Sequence, residues 1–160
     1  MRNSFLLGMG VVLSLGVAAC GGSDTTDPRD KLTGWYSGSM TTAMAGAATG
    51  TDTQNGFFVL VDAAATANEL VLVFDQGLWL YEPPSGVHVM ATLSGTSLTM
   101  NPSQTFSNAS GTTSETYTVT GGNGSVSGNN LSLTLNFSDV LTSTATSNYT
   151  YTLTYSGTKQ

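Results

Sequence analysis

Few side chains in this chain of 160 residues could act as nucleophiles or bind metals, because it contains one cysteine, Cys20, and one histidine, His88. A Ser-His-acid triad requires a histidine as its general base. His88 lies in an alternating stretch, on the face opposite Val87 and Val89, so a core position for the valines would leave it in solvent. The sequence also has no Gly-x-Ser-x-Gly nucleophile motif. It therefore predicts that the protein is not an enzyme.

The sequence also predicts no metal ion or other cofactor. Zinc and copper sites use several His or Cys ligands, and the chain has a single residue of each type. The segment 52–56 partly matches a calcium loop, but Gln54 replaces the middle ligand and no Glu follows at the required distance. We interpret this segment as a polar loop.

Cys20 follows a segment with the pattern of an export signal. Arg2 supplies a positive start, residues 5–16 form an apolar run, and residues 17–19 are small. A bilayer-spanning helix needs about 20 apolar residues, and this run is shorter and contains glycines. An ordinary signal peptide, with Cys20 present by chance, is the other alternative.

Val17-Ala18-Ala19-Cys20 resembles the lipobox of bacterial lipoproteins. This resemblance implies that the Cys20 thiol is joined to diacylglycerol, that the preceding peptide is removed, and that the new amino group receives a fatty acid such as palmitate. Cys20 would then anchor the protein in a membrane of the cell envelope. Gly21 and Gly22 stand where an inner-membrane retention signal usually carries Asp, which favours the outer membrane by analogy with enteric bacteria, on either its periplasmic or its outer side.

The composition predicts a neutral surface rich in hydroxyl groups. After removal of residues 1–19, three basic residues remain against ten acidic ones, a formal charge of −7. Charged residues make up 9% of the chain, against roughly 25% in typical soluble domains, whereas Ser and Thr together number 45. Because phosphate binding depends on clustered Lys and Arg, we expect no nucleic-acid partner.

Three segments are expected along the chain. Residues 1–19 form the signal peptide, and residues 20–31 form the lipidated cysteine with a flexible tether that has no apolar residue except Pro28. Residues 32–160 form a single domain, since this length suits one hydrophobic core.

Short runs with a period of two predict that this domain is all-β. The predicted strands are 34–43, 57–61, 69–74, 78–81, 87–93, 97–100, 116–120, 131–138 and 149–155. Residues 45–55 are predicted to be a loop, residues 63–68 at most one helical turn, and residues 101–113 an irregular crossing. Glycines at 121–124 predict a bulge.

Eight or nine short strands with turns between neighbours predict an antiparallel up-and-down meander. Strands so poor in Lys would aggregate as open edges, so we expect the first strand to pair with the last and close a barrel. A β-sandwich is the alternative. The barrel resembles the calycin or lipocalin-like type in the number and length of its strands.

The candidate binding residues are aromatic. Trp79 and Tyr81, beside a loop containing two prolines, are candidates to line the mouth of a ligand site, together with Tyr149 and Tyr151 of the last strand. Core packing is the alternative role for these rings. Strand 69–74 is apolar on both faces, which predicts a patch covered by a loop, a partner subunit or the membrane.

Three functions fit these features. The first is a non-enzymatic, lipid-anchored cell-envelope protein with a structural or macromolecular-contact role, which predicts a barrel filled by side chains. The alternatives are a calycin-like carrier of a small apolar ligand, which predicts an open lumen, and an inhibitor of a secreted enzyme. Strand number does not decide between the first two, because eight strands either fill their interior or hold one ligand.

Overall fold

The computed structural model describes residues 27–74 and 87–160, and within these ranges the regular structure consists of antiparallel strands. The strands are β1 (Gly34–Gly46), β2 (Gly50–Ala63), β3 (Glu69–Phe74), β4 (Val87–Ser94), β5 (Ser97–Met100), β6 (Thr105–Ser110), β7 (Thr113–Ser127), β8 (Asn130–Thr142) and β9 (Thr146–Lys159). The predicted signal peptide, Cys20 and the strand predicted at 78–81 lie outside the described residues.

The strands form a closed ring. From β1 to β5 and from β6 to β9 each strand pairs with the next one, and β1 pairs with β9. The ring closes where β5 pairs with residues 123–125 of β7. The other half of the same β7 edge, residues 113–118, pairs with β6, which therefore lies outside the eight-stranded ring. The predicted antiparallel meander with first-to-last pairing is confirmed.

Two predicted irregular segments are strands instead. Residues 45–55 were predicted to be a loop, but most of them belong to β1 and β2, which continue through a bulge at Gly56, where φ is +70°. Residues 101–113 contain β6, whose Phe106 packs against the core. Both segments are small and polar, so strand formation there depends on pairing with neighbours rather than on an apolar pattern.

Side chains from all eight ring strands form one buried cluster inside the ring. Alternate residues of each strand face the interior and the solvent. In β8 the side chains of Leu133, Leu135 and Phe137 are at most 3% exposed, whereas Ser132 faces solvent. The same holds in β9, where Leu153 is fully buried. The interior at this level is therefore packed with side chains, as a filled barrel requires.

The chain enters the ring through a turn at residues 27–33. Here the Arg29 guanidinium donates hydrogen bonds of 2.8 to 3.1 Å to the carbonyl oxygens of Ala64, Thr66 and Glu69, at the β2–β3 turn. It also pairs with Asp27 at 2.6 Å. We call the end of the ring that carries the β2–β3 turn and the turn at residues 27–33 the tether end. Asp27 and Arg29, inside the segment 20–31 that the sequence assigns to the tether, thus make ordered contacts.

Two glycines bring β1 and β9 unusually close together. Gly38 lies opposite Gly157, and a Cβ on Gly38 would overlap the carbonyl oxygen of Ser156. A Cβ on Gly157 would overlap the Tyr155 hydroxyl. That hydroxyl instead crosses the strands and donates a buried 2.9 Å hydrogen bond to the carbonyl oxygen of Tyr36. The β1–β9 seam therefore requires glycine at both positions.

The substitution Gly38→Ala should destabilise the fold by about 1–3 kcal/mol or more, because the added methyl group meets backbone that cannot move without separating β1 from β9. The matched control is Gly50→Ala in β2, where the new Cβ would lie 3.9 Å from the Met44 methyl carbon, and we expect it to stay within about 0.5 kcal/mol of wild type. Urea denaturation measures both variants. Equal midpoints for the two variants would contradict this account of the seam.

Candidate functional site

The end of the ring opposite the tether carries a group of polar side chains that point inward. Glu115 and Tyr117 come from β7, Asp139 from β8, and Tyr149 and Tyr151 from β9; we call these five residues the acid–tyrosine cluster. Strand pairing explains why they meet. Asp139 lies directly opposite Tyr117 on one side and Tyr149 on the other, while Glu115 and Tyr151 are its diagonal neighbours, so all five share one face.

The cluster buries two carboxyl groups. Asp139 is 1% exposed and Glu115 is 8% exposed. The Asp139 carboxyl lies beside the Glu115 carboxyl and the Tyr151 hydroxyl, and a side-chain hydrogen bond with each of them contributes to its pKa. Burial, and after it the negative charge of Glu115, raises the pKa of Asp139 to about 7, while the nearby Tyr151 hydroxyl opposes this rise. Protonation of Asp139 therefore falls near neutral pH.

The tyrosines respond to the same surroundings. Burial and then the negative charge of Asp139 raise the pKa of Tyr151 to about 12. Burial, assisted by Glu115, raises the pKa of Tyr117 well above its usual value. The Tyr151 ring lies 6.2 Å from the Tyr117 ring and 6.4 Å from the Tyr149 ring, between ring centroids. Tyr117 and Tyr151 thus remain neutral, and the three rings pack as a layer beside the two carboxyl groups.

A cleft of about 200 Å³ opens beside the cluster. Glu115 lines the cleft, and Asn108 of β6 is its direct cross-strand neighbour. The other lining residues are Ser110, Thr113, Leu141 and Ser143. Five of these six side chains carry an oxygen atom, and the sixth is that of Leu141.

The structure brings together two of the four predicted ligand-binding residues, Tyr149 and Tyr151. Trp79 and Tyr81 lie outside the described residues. Sequence reasoning missed Glu115 and Asp139, although a signal was present. The inward series that includes Leu135 and Phe137 reaches Asp139 when it is continued by one more alternate residue, and counting back two residues from Tyr117 reaches Glu115.

A second candidate surface lies on the outside of the ring, across β1 to β4. Trp35 and Phe58 are 43% and 37% exposed, and their rings meet edge to face at 6.5 Å. Half-buried apolar side chains continue this surface on the neighbouring strands: Leu60, Val71, Val73 and Met90. We call these six residues the apolar wall. It agrees with the prediction that strand 69–74 is apolar on both faces.

The outer surface on the other side of the ring is rich in hydroxyl groups. Thr150, Thr152 and Thr154 of β9 all face solvent. Some of these hydroxyls bridge neighbouring strands, for example that of Thr152, which donates a 3.1 Å hydrogen bond to the side-chain oxygen of Asn136. Such pairs stabilise a sheet without apolar contacts. The ring therefore presents two chemically different outer walls.

Other predicted features have clear positions. His88 is exposed on the outside of β4, as its place in the alternation predicts. Within residues 27–74 and 87–160, no three His, Cys, Asp or Glu side chains come close enough together to hold a metal ion. A helix with the length and hydropathy to cross a bilayer is also not found in this part of the chain.

Comparison of the chain with protein-family models, with curated proteins and with solved structures found no match.

The raised pKa of Asp139 predicts a stability that falls as pH rises. The folded state holds the Asp139 proton up to a pH of about 7, whereas the unfolded chain releases it near about 3.9. Between these two pH values the folded state binds more protons than the unfolded chain. The contribution of Asp139 to the free energy of unfolding is therefore complete at low pH and is lost as the pH rises to about 7. The free energy of unfolding falls by at most about 1.4 kcal/mol per pH unit.

This pH dependence can be measured by urea denaturation from pH 4 to pH 8, with a chelator present so that only protons compete for the carboxyl groups. Asp139→Asn should remove the decline and be more stable than wild type at pH 8. Asp52→Asn, which changes an exposed carboxylate on β2, should keep the wild-type profile. The same decline in wild type and Asp139→Asn would refute the assignment.

Proposed function

We propose that this protein is a non-enzymatic, lipid-anchored component of the cell envelope that acts through contact between its outer surface and another macromolecule. One observation carries the proposal: the ring interior is packed, while Trp35 and Phe58 remain exposed on its outer wall. A filled barrel with an apolar outer patch is suited to surface contact, because such patches on soluble domains mark interaction sites.

The packed interior argues against the carrier alternative. A carrier of an apolar molecule needs a lumen lined by apolar side chains, but the apolar side chains of the ring are used to fill it. Five of the six residues that line the cleft beside Glu115 have polar side chains, and Leu141 is the only apolar one. We therefore place the functional contact on the apolar wall.

The proposed anchor also orients the ring. Six residues lie between Cys20 and Asp27, so the seven Cα–Cα steps that join them span at most about 25 Å. Since the turn at 27–33 is fixed to the tether end by Arg29, that end stays close to the membrane. The acid–tyrosine cluster then faces away from the membrane, and the apolar wall stands at the side, accessible to a partner in the same envelope layer.

Acylation of Cys20 tests the anchor. Wild-type chain expressed in a bacterial host with a clickable palmitate analogue should be labelled and should fractionate with membranes, since the thiol is the attachment point. Cys20→Ala should lose both the label and the membrane association. Ser14→Ala, a change inside the apolar run, is the control and should be processed normally. Equal labelling of wild type and Cys20→Ala would end the lipid-anchor proposal.

A photoreactive phenylalanine analogue tests the contact surface. Placed at Phe58 in living cells of the native host, it should give a discrete adduct of higher mass after irradiation, because the partner covers the apolar wall. The matched control position is Thr152, which is exposed on the hydroxyl-rich side. The adduct should disappear when Trp35→Ser is added to the Phe58 probe. Adducts of equal yield at both positions, or none at Phe58, would contradict a contact on this wall.

A further inference from the structure

The far part of β6 and β7 forms a hairpin with an irregular base. We call residues 105–118 of these strands the cluster hairpin. At its base β7 has a register shift after Val119, followed by Gly121 and Gly122 with φ of +150° and +148°. On the other strand Ser103 has φ of +68°, and its N–H donates a 2.7 Å hydrogen bond to the carbonyl oxygen of Val119. Both strands are therefore irregular at one level, as a hinge requires.

On the tether side of this level the strands are fixed to the ring. Residues 123–125 of β7 pair with β5, and the side-chain amide of Gln104 forms hydrogen bonds of 2.7 and 3.0 Å with the backbone of Met90 in β4. On the far side, residues 114–119 of β7 pair with residues 137–142 of β8. Within the described ranges β6 pairs with β7 and with no other strand. The ladder between β7 and β8 is thus the backbone connection that holds the cluster hairpin against the ring.

Glu115 and Asp139 stand on the two strands of that ladder. Both side chains face inward and are buried, and the two carboxyl groups share a hydrogen bond. The basic residues of the described chain, Arg29, Lys31 and Lys159, lie at the tether end and so do not neutralise them. Two buried carboxylates repel each other, and one proton between them removes the repulsion. Loss of that proton therefore pushes β7 away from β8.

The groups around Asp139 place this proton loss near neutral pH. Among the described residues, the titratable side chains that face Asp139 are the other four members of the acid–tyrosine cluster, two on β7 and two on β9. Neither β6 nor residues 40–46 of β1, which pair with the same end of β9, has a titratable side chain. Burial and then the charge of Glu115 raise the pKa of Asp139 to about 7, against the opposing effect of Tyr151.

We propose that the cluster hairpin is a proton-operated flap, closed against β8 while Glu115 and Asp139 share a proton and opened about residues 103 and 121–122 when that proton is lost. The cleft is lined by residues of the hairpin and of the β8 side, so opening widens it. The charge change lies at the carboxyl pair, and the element that it moves is the hairpin. The strands on the tether side of the hinge stay paired.

The direction of the effect follows from which state holds the proton more tightly. The closed flap holds it up to a pH of about 7, whereas a carboxyl group in water releases it near about 3.9. The equilibrium constant for opening therefore rises by up to about tenfold per pH unit between these two values and is constant above about pH 7.

Amide hydrogen–deuterium exchange of the whole chain at pH 5 and pH 8 tests the flap, with rates corrected for the pH dependence of unprotected amides. Protection of residues 105–118 should fall at least about tenfold from pH 5 to pH 8. At pH 8 it should also be at least about tenfold lower than that of residues 130–136, which lie in β8 on the tether side of the hinge. Asp139→Asn and Glu115→Gln should remove the fall, and Asp52→Asn, the exposed control, should keep it.

The comparison of the two segments uses the wild type alone, so it does not depend on the folding of any variant. Lower protection of residues 105–118 at pH 8, lost in both variants of the carboxyl pair, supports the flap. Equal protection of residues 105–118 and 130–136 at pH 8 would mean that the hairpin opens only when the whole ring unfolds, and this result overturns the proposal. A fall of the same size in wild type and Asp139→Asn overturns it as well.

Discussion

Closure of the ring depends on how near β1 and β9 can approach. With Gly38 facing Gly157, the two backbones lie closer than any Cβ would permit, and the Tyr155 hydroxyl uses the freed space to reach the Tyr36 carbonyl oxygen. That bond satisfies a buried carbonyl with a buried hydroxyl, which would otherwise both lose hydrogen bonds to water. A chain with so few charges has little else to protect its strand edges, because charged side chains are the usual protection against edge-to-edge aggregation. Pairing the first strand with the last removes both of these edges.

Closure also explains the division between the inside and the outside of the fold. In a ring every residue faces either the interior or the surroundings, so alternation alone assigns most positions. Large residues such as Leu133 and Leu135 fill the interior, and Ser, Thr and Asn take most of the outward positions of β8 and β9, where Val140 is an exposed exception. The apolar wall departs from this rule. Trp35 and Phe58 are exposed there, and their exposure is not needed to fill the core.

The strands with large alternating residues could be predicted from the sequence, because their pattern depends only on burial: β3 begins and ends where the prediction places it. The segments 45–55 and 101–113 could not, since their small polar residues carry no such pattern. Residues 50–55 become a strand by pairing with β1, residues 45–46 by pairing with β9, and residues 105–110 by pairing with β7. Likewise, Tyr149 and Tyr151 were predicted to face inward from their own strand. Their meeting with Glu115 and Asp139 depends on the register of three strands, which the bulge after Val119 adjusts and which no local pattern specifies.

The two ends of the ring differ in what their polar groups do for stability. At the tether end Arg29 donates hydrogen bonds to three carbonyl oxygens of the β2–β3 turn, so its charge supports the fold. At the far end Asp139 occupies an inward position of β8 that continues a series of Leu and Phe. With an apolar residue at this position the fold would be equally stable or more stable. A buried carboxyl group beside a second one is therefore a cost that folding does not require. A polar residue at an inward position that does not stabilise the fold is expected to serve function. Among the described residues Asp139, with Glu115 beside it, is the clearest such position.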